Sequence, residues 1–192
     1  LTLPENKTPN VFSFYLPEID HEAHGHGIDS KQTEEAVHLV DAAIANMVRM
    51  TDSLKLPVNY IFLSDHGMIN IDTAHTLPRP ASIDSTKFIL PAGTVLAHLY
   101  AKEPKDVMPA YTALKQDTQH YNVYLNTEIP PRWHYGVKDD LYNRIGDILL
   151  VPKVPKVFSF WGRRVLPGQH GFDNALPEMQ AVFYAWGPAF RK

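Results

Sequence analysis

The chain has 192 residues, 44% of them hydrophobic and 20% charged, with a formal charge of −3 and no cysteine. That length can bury one sizeable core, and the charge gives no basis for recognising a nucleic-acid polymer or an anionic membrane. No apolar stretch approaches the ~20 residues of a membrane helix, and without thiolates any metal must be held by His, Asp or Glu, a site that ten histidines make feasible.

Residues 11–16 form a mostly apolar run that reads as a short strand. Asp29, with Gln32 three positions on, resembles a capping box. Val37, Val40, Ile44, Met47 and Val48 then keep helical spacing, and the pattern runs to about residue 54. Pro57 interrupts it, and "VNYIFL" (residues 58–63) is a second apolar strand. Strand, helix, strand is a βαβ unit, which predicts parallel neighbouring strands. Residues 70–92, rich in Pro, Thr, Ser and Asp, read as an inserted loop. Further on, 94–100 reads as a strand, 107–116 as a helix and 123–125 as a short strand. Residues 147–151 and 157–160 read as strands forming a hairpin, and 182–185 as a last apolar run. The expected fold class is α/β, with a mostly parallel sheet flanked by helices. The chain reads as a single domain over residues 1–192, with about 85–165 as a small appended α+β lobe.

Three motifs concentrate metal-competent side chains. They are "YLPEIDHEAHGHG" with Asp20 and His24, "LSDHGM" with Asp65 and His66, and "GQHGFDN" with His170. The first two follow the expected strands directly, and ligand sites in open α/β sheets gather at the carboxyl ends of strands. Taken singly, each motif is explained better by a turn or a solvated pair. Together, carboxylates and imidazoles without thiolates suit Zn²⁺ or another first-row divalent metal with open positions. Four or five ligands exceed what one catalytic ion with an open site needs, and fit a pair that clamps a phosphoryl displacement. A mononuclear esterase using only Asp20, His24 and His170 is the leaner alternative. His21, Glu22 and His26 read as rim residues. Gly67, Gly168 and Gly171 flank the ligand positions, where glycine lets backbone approach closely.

These motifs, with "RIGDILL" and "FYAWGPAF", resemble in order those of the nucleotide pyrophosphatase/phosphodiesterase family, within the alkaline phosphatase superfamily. The resemblance covers essentially the whole chain. It implies an alkaline-phosphatase-like fold and two zinc ions, one held by Asp20, His24 and His170, the other by Asp65 and His66. The implied activity is hydrolysis of a phosphodiester or nucleotide pyrophosphate through a covalent phosphoenzyme. The substrate would be a small phosphate ester or nucleotide. His134, in "PRWHYG", matches a recurring family histidine and reads as structural or, failing that, as a substrate contact. Where the family usually writes Glu-Pro-Asp and Gly-Pro, this chain has Glu18-Ile19-Asp20 and Gly27-Ile28.

A larger departure concerns the family's first strand, with its Asp ligand, and the Thr or Ser nucleophile on the helix after it. Nothing before residue 10 matches either; Thr2 and Thr8 lie in an unpatterned lead and are poor candidates. The resemblance therefore implies the C-terminal part of a catalytic domain, with no nucleophile in the chain and the N-terminal half as a partner segment. Family members are often exported, which points to a secreted or periplasmic location, though the lack of cysteine fits the cytoplasm equally. Two alternatives stand beside this reading. One is a phosphomonoesterase or phospholipid-type phosphodiesterase on the same scaffold; the other is a truncated, non-catalytic metal-binding domain.

Overall fold

The computed structural model describes residue 7 and residues 9–191. Thr2 and Thr8 lie outside the described residues. Helix α1 spans Glu18–His26 and α2 spans Lys31–Ser53. Strands β1 (Tyr60–Leu63) and β2 (Ile69–Asn70) follow. Then come β3 (Phe88–Ile89), β4 (Ala97–Ala101), α3 (Val107–Leu114), β5 (Tyr121–Leu125) and β6 (Ile148–Pro152). Strands β7 (Gly168–Gln169) and β8 (Phe183–Trp186) close the order.

Helix α1 occupies a segment for which the sequence pattern predicts no element. Its side chains explain why. Glu18 and Asp20 sit in the first turn and His24 and His26 in the last, each complementing the helix dipole. Asp20 pairs with His24, and Glu22 with His26, both at 3.5 Å and four residues apart. Glu22 and His26 thus stay on the rim, as expected. Helix α2 confirms the long amphipathic stretch but starts one residue later than Asp29 suggested. Ser30 is its cap, accepting from the Thr33 N–H at 3.2 Å. The buried face is Thr33, Ala36 and Val40, whereas Val37 is exposed.

The expected strand over 11–16 is irregular and exposed, and its parallel pairing with β1 is absent. A strand persists only where a ladder partner satisfies it, and β1 takes that partner from the other end of the chain. It pairs antiparallel with β8, with Tyr60 stacked on Trp186 and Phe62 on Tyr184. All strand pairs among the described residues are antiparallel. The structure is therefore α/β without the predicted parallel sheet.

The 85–165 region builds the largest sheet, in the order β3-β4-β6-β5. Its core gathers Leu99, Leu114, Val123, Ile148, Leu150 and Phe158. Residues 157–160 are not a strand; Phe158 makes one parallel bridge to Leu77, and its N–H goes to the Thr94 carbonyl. A second core of Ile71, Val157, Val165, Phe172 and Met179 lies between β2, β7 and the segments around them. Fully burying such side chains contributes about 1.5–3 kcal/mol each, before entropy is counted.

Asp72 ties the exit of β2 to that core. Its N–H donates to the Pro155 carbonyl at 2.9 Å, and the Lys156 ammonium lies 2.6 Å from Oδ2. The hydrogen bond from Lys156 is the main reason that the Asp72 carboxyl sits at about 2 rather than 3.8; burial opposes it and His75 assists. A depressed carboxyl stabilises the fold above its ordinary range, and that contribution is lost as pH falls through the folded value. In an NMR titration the Asp72 carboxyl should show a midpoint near 2, moving toward 3.8 in Lys156→Met. A midpoint unaffected by that substitution would show that the ion pair is not the cause.

Candidate metal centre

Three segments deliver the candidate ligands: α1 carries Asp20 and His24, the β1–β2 connection carries Asp65 and His66, and the residue after β7 is His170. Residues four apart share one helix face, so Asp20 and His24 project together. The connection between β1 and β2 passes close to another segment at Gly67. A Cβ there would lie 2.0 Å from the Glu178 carbonyl oxygen, so only glycine lets that segment pass. Gly168 is under the same constraint, with a Cβ falling 2.1 Å from the Ala23 carbonyl oxygen.

That close approach fixes His24. Its Nδ1 lies 2.7 Å from the Gly168 carbonyl. A carbonyl can only accept, so Nδ1 must carry the proton, and Nε2 presents its lone pair. His66 repeats the device, with Nδ1 3.0 Å from the Gly67 carbonyl. Backbone carbonyls thus hold both rings in the tautomer that ligates through Nε2.

The free Nε2 of His24 faces Asp20 Oδ1 at 3.5 Å, and His170 Nε2 lies 3.9 Å from the same oxygen. Both distances are too long for hydrogen bonds. They approach the separation of about 3.3 Å that neighbouring ligands have around a tetrahedral ion with bonds of about 2.0–2.1 Å. Asp20 Oδ1 is buried with no hydrogen-bond partner, one of three such atoms among the described residues. Ligand atoms of Asp20, His24 and His170 lie within 4.8 Å of one another. The donor set and the orphaned oxygen both fit a divalent cation.

His66 joins this group by stacking. Its ring lies 3.6 Å from that of His170, at 13° between planes, while the His24 ring lies 5.0 Å from it. Burial, and then the neighbouring His66 and His24, push His170 below its ordinary range; Asp20 and Asp65 pull the other way. The net effect favours the neutral, ligating imidazole. Asp65 is largely exposed, 3.6 Å from His66 Nε2, and stands outside the compact trio.

His134 is not in the group of converging ligand atoms and occupies an exposed left-handed position (φ 47). Among the described residues its side chain makes no hydrogen bond. Its neighbours make the connection instead. Arg132 grips Asp173 bidentately at 2.8 and 2.5 Å, and Trp133 Nε1 donates to the same carboxylate at 3.1 Å. Asp173, three residues after His170, was overlooked in the sequence, although "HGFDN" carried it in view.

A family profile described as type I phosphodiesterase/nucleotide pyrophosphatase matches residues 1–173. The chain belongs to this family. Bis(5'-adenosyl)-triphosphatase ENPP4 of Bos taurus is 31% identical over 99% of the chain, and ectonucleotide pyrophosphatase/phosphodiesterase family member 5 of Homo sapiens is 30% identical over 95%. Those matches cover 42% and 38% of the two relatives. Murine ectonucleotide pyrophosphatase/phosphodiesterase 5 shares the fold, with a TM-score of 0.79 and 33% identity over 90% of this chain and 46% of that one. An inactive variant of that murine protein has been solved in complex with AMP. The chain spans less than half the length of these nucleotide pyrophosphatase/phosphodiesterase relatives.

The glycine constraint gives a direct check. Gly168→Ala should cost about 2–3 kcal/mol, since added volume against fixed backbone forces a local shift. Urea denaturation reads this cost, and a change below about 0.5 kcal/mol would mean that α1 and β7 can separate freely.

Proposed function

We propose that this chain is the metal-holding part of a hydrolase that breaks phosphodiester or nucleotide pyrophosphate bonds. The observation that carries the reading is the trio of Asp20, His24 and His170, converging around an orphaned buried carboxylate oxygen. Family membership, and the nucleotide named in the AMP complex of a relative, support the substrate class. In this reading Asp20, His24 and His170 hold one zinc, and Asp65 and His66 contribute to a second.

Zinc, when bound, supplies positive charge against the phosphoryl oxygens and acidifies the attacking group. The chain's own residues prepare that role. The Gly168 and Gly67 carbonyls orient His24 and His66 through Nδ1, so that each neutral ring offers Nε2 as the ligand atom. Burial lowers the proton affinity of His170, which favours its ligating form. Asp20 supplies the anionic oxygen that the cation neutralises. The attacking hydroxyl, a Thr or Ser forming a phosphoenzyme, would come from outside these 192 residues. The same outside segment would extend the β1–β8 pair into the mostly parallel sheet of an alkaline-phosphatase-like domain. Residues 85–165 then form a lobe appended to that single domain. His134 serves the lobe's structure rather than the substrate. Among the described residues no helix is long and apolar enough to cross a membrane. An exported location, as the relatives' descriptions as ectoenzymes and venom enzymes suggest, is part of this reading.

A one-zinc esterase is the second reading, favoured by the exposure of Asp65 and its absence from the compact group. Elemental analysis separates the two: two zinc ions per full-length protein support the first, one supports the second. His24→Ala and Asp20→Asn in the full-length protein should lose zinc and activity together, by more than the 10–100-fold typical of losing a supporting partner. Turnover of a nitrophenyl nucleotide diester should exceed that of nitrophenyl phosphate; the reverse would make the protein a monoesterase. Full zinc content and unchanged turnover in both variants would refute the ligand assignment.

A further inference from the structure

Asn70 ends β2 and stands opposite Gly168 of β7 in the ladder, four residues after His66 and two positions across from the approach to His170. Its side chain reaches a third segment. Oδ1 accepts from the Ile28 N–H at 2.8 Å, and Nδ2 donates to Asp29 Oδ2 at 2.7 Å. Ile28 follows Gly27, the cap that closes α1. One amide therefore links the end of the helix bearing Asp20 and His24 to the strand pair that leads from His66 and into His170. The amide's orientation is dictated by its partners, since an N–H requires its oxygen and a carboxylate requires its nitrogen.

We propose that Asn70 is a positioning residue for the metal group, fixing where α1 sits along β2 and β7 and so setting the spacing of Asp20, His24 and His170. This rests on the metal reading given above. Helix α1 is nine residues long and fully buries only Ala23, so the Asn70 bonds at its end add a fixed point to its packing against α2 and β7. Metal–ligand distances tolerate only about 0.2 Å of error. A bond pair that locks the helix end therefore acts on affinity without touching the metal.

A reciprocal exchange tests the assignment. Asn70→Asp keeps an acceptor for Ile28 but sets a second carboxylate against Asp29. Asp29→Asn restores a donor to that contact, and alone it still accepts from Asn70. Zinc affinity of the full-length protein, read by competition with a chromophoric chelator, should fall about 10–100-fold in Asn70→Asp. Asp29→Asn alone should change it by less than about threefold, and the double variant should return to within about threefold of the unsubstituted protein. Unfolding midpoints measured under chelator add a readout of fold alone. A lowered metal-free midpoint with unchanged zinc affinity would make Asn70 merely structural and overturn the proposal, leaving the metal reading intact. An unsubstituted protein that binds no zinc would overturn both, and this shows before any substitution is made.

Discussion

Helix α1 can present two ligands to the site only because β7 passes beneath it at a glycine. The Ala23 carbonyl comes so close to Gly168 that any side chain there would collide with it. The same approach brings the Gly168 carbonyl within 2.7 Å of His24 Nδ1. Backbone packing therefore selects a tautomer: it places a proton on Nδ1, so that the neutral ring turns its Nε2 lone pair toward Asp20. His170 follows β7 directly, so the strand that orients one ligand also delivers another. The core of Ile71, Val157, Val165, Phe172 and Met179 fixes both strands from beneath.

Charge completes the case. His66 and His170 stack at 3.6 Å between centroids. Two imidazolium charges about 4 Å apart repel by about 4 kcal/mol at an effective dielectric of 20, so double protonation is strongly disfavoured. The Asp20 and Asp65 carboxylates beside these rings leave a cluster poor in hydrogen-bond donors. Asp20 Oδ1 is buried there with nothing to accept from. A cation shared between the trio resolves that deficit; a hydrogen bond at 3.5 or 3.9 Å does not.

Much of the site was legible in the sequence, because it is written in residue types. Asp20, His24 and His170 do converge, and His66 joins them through its ring. The expectation rested on a strand at 11–16 that does not form. What brings the ligands together instead is α1, whose signal was present in two acid-to-histidine pairs at four-residue spacing. Gly25 and Gly27 obscured it, since glycine reads as loop. Strands β4, β5 and β6 are readable because their apolar runs are largely buried, and β8 is readable from its apolar run although it is mostly exposed. The pairing of β1 with β8 was not, because a partner 120 residues away leaves no local trace. Asn70 and Asp173 were missed for a related reason: a short polar residue gains its meaning only from what folding places opposite.

Anomalous diffraction at the zinc edge, from crystals of the full-length protein grown with zinc, tests the central claim most directly. The expected map has a strong peak about 2.0–2.2 Å from an oxygen of Asp20 and from Nε2 of both His24 and His170. A map with zinc elsewhere, or with the His24 ring turned so that Nε2 leaves Asp20, would contradict it.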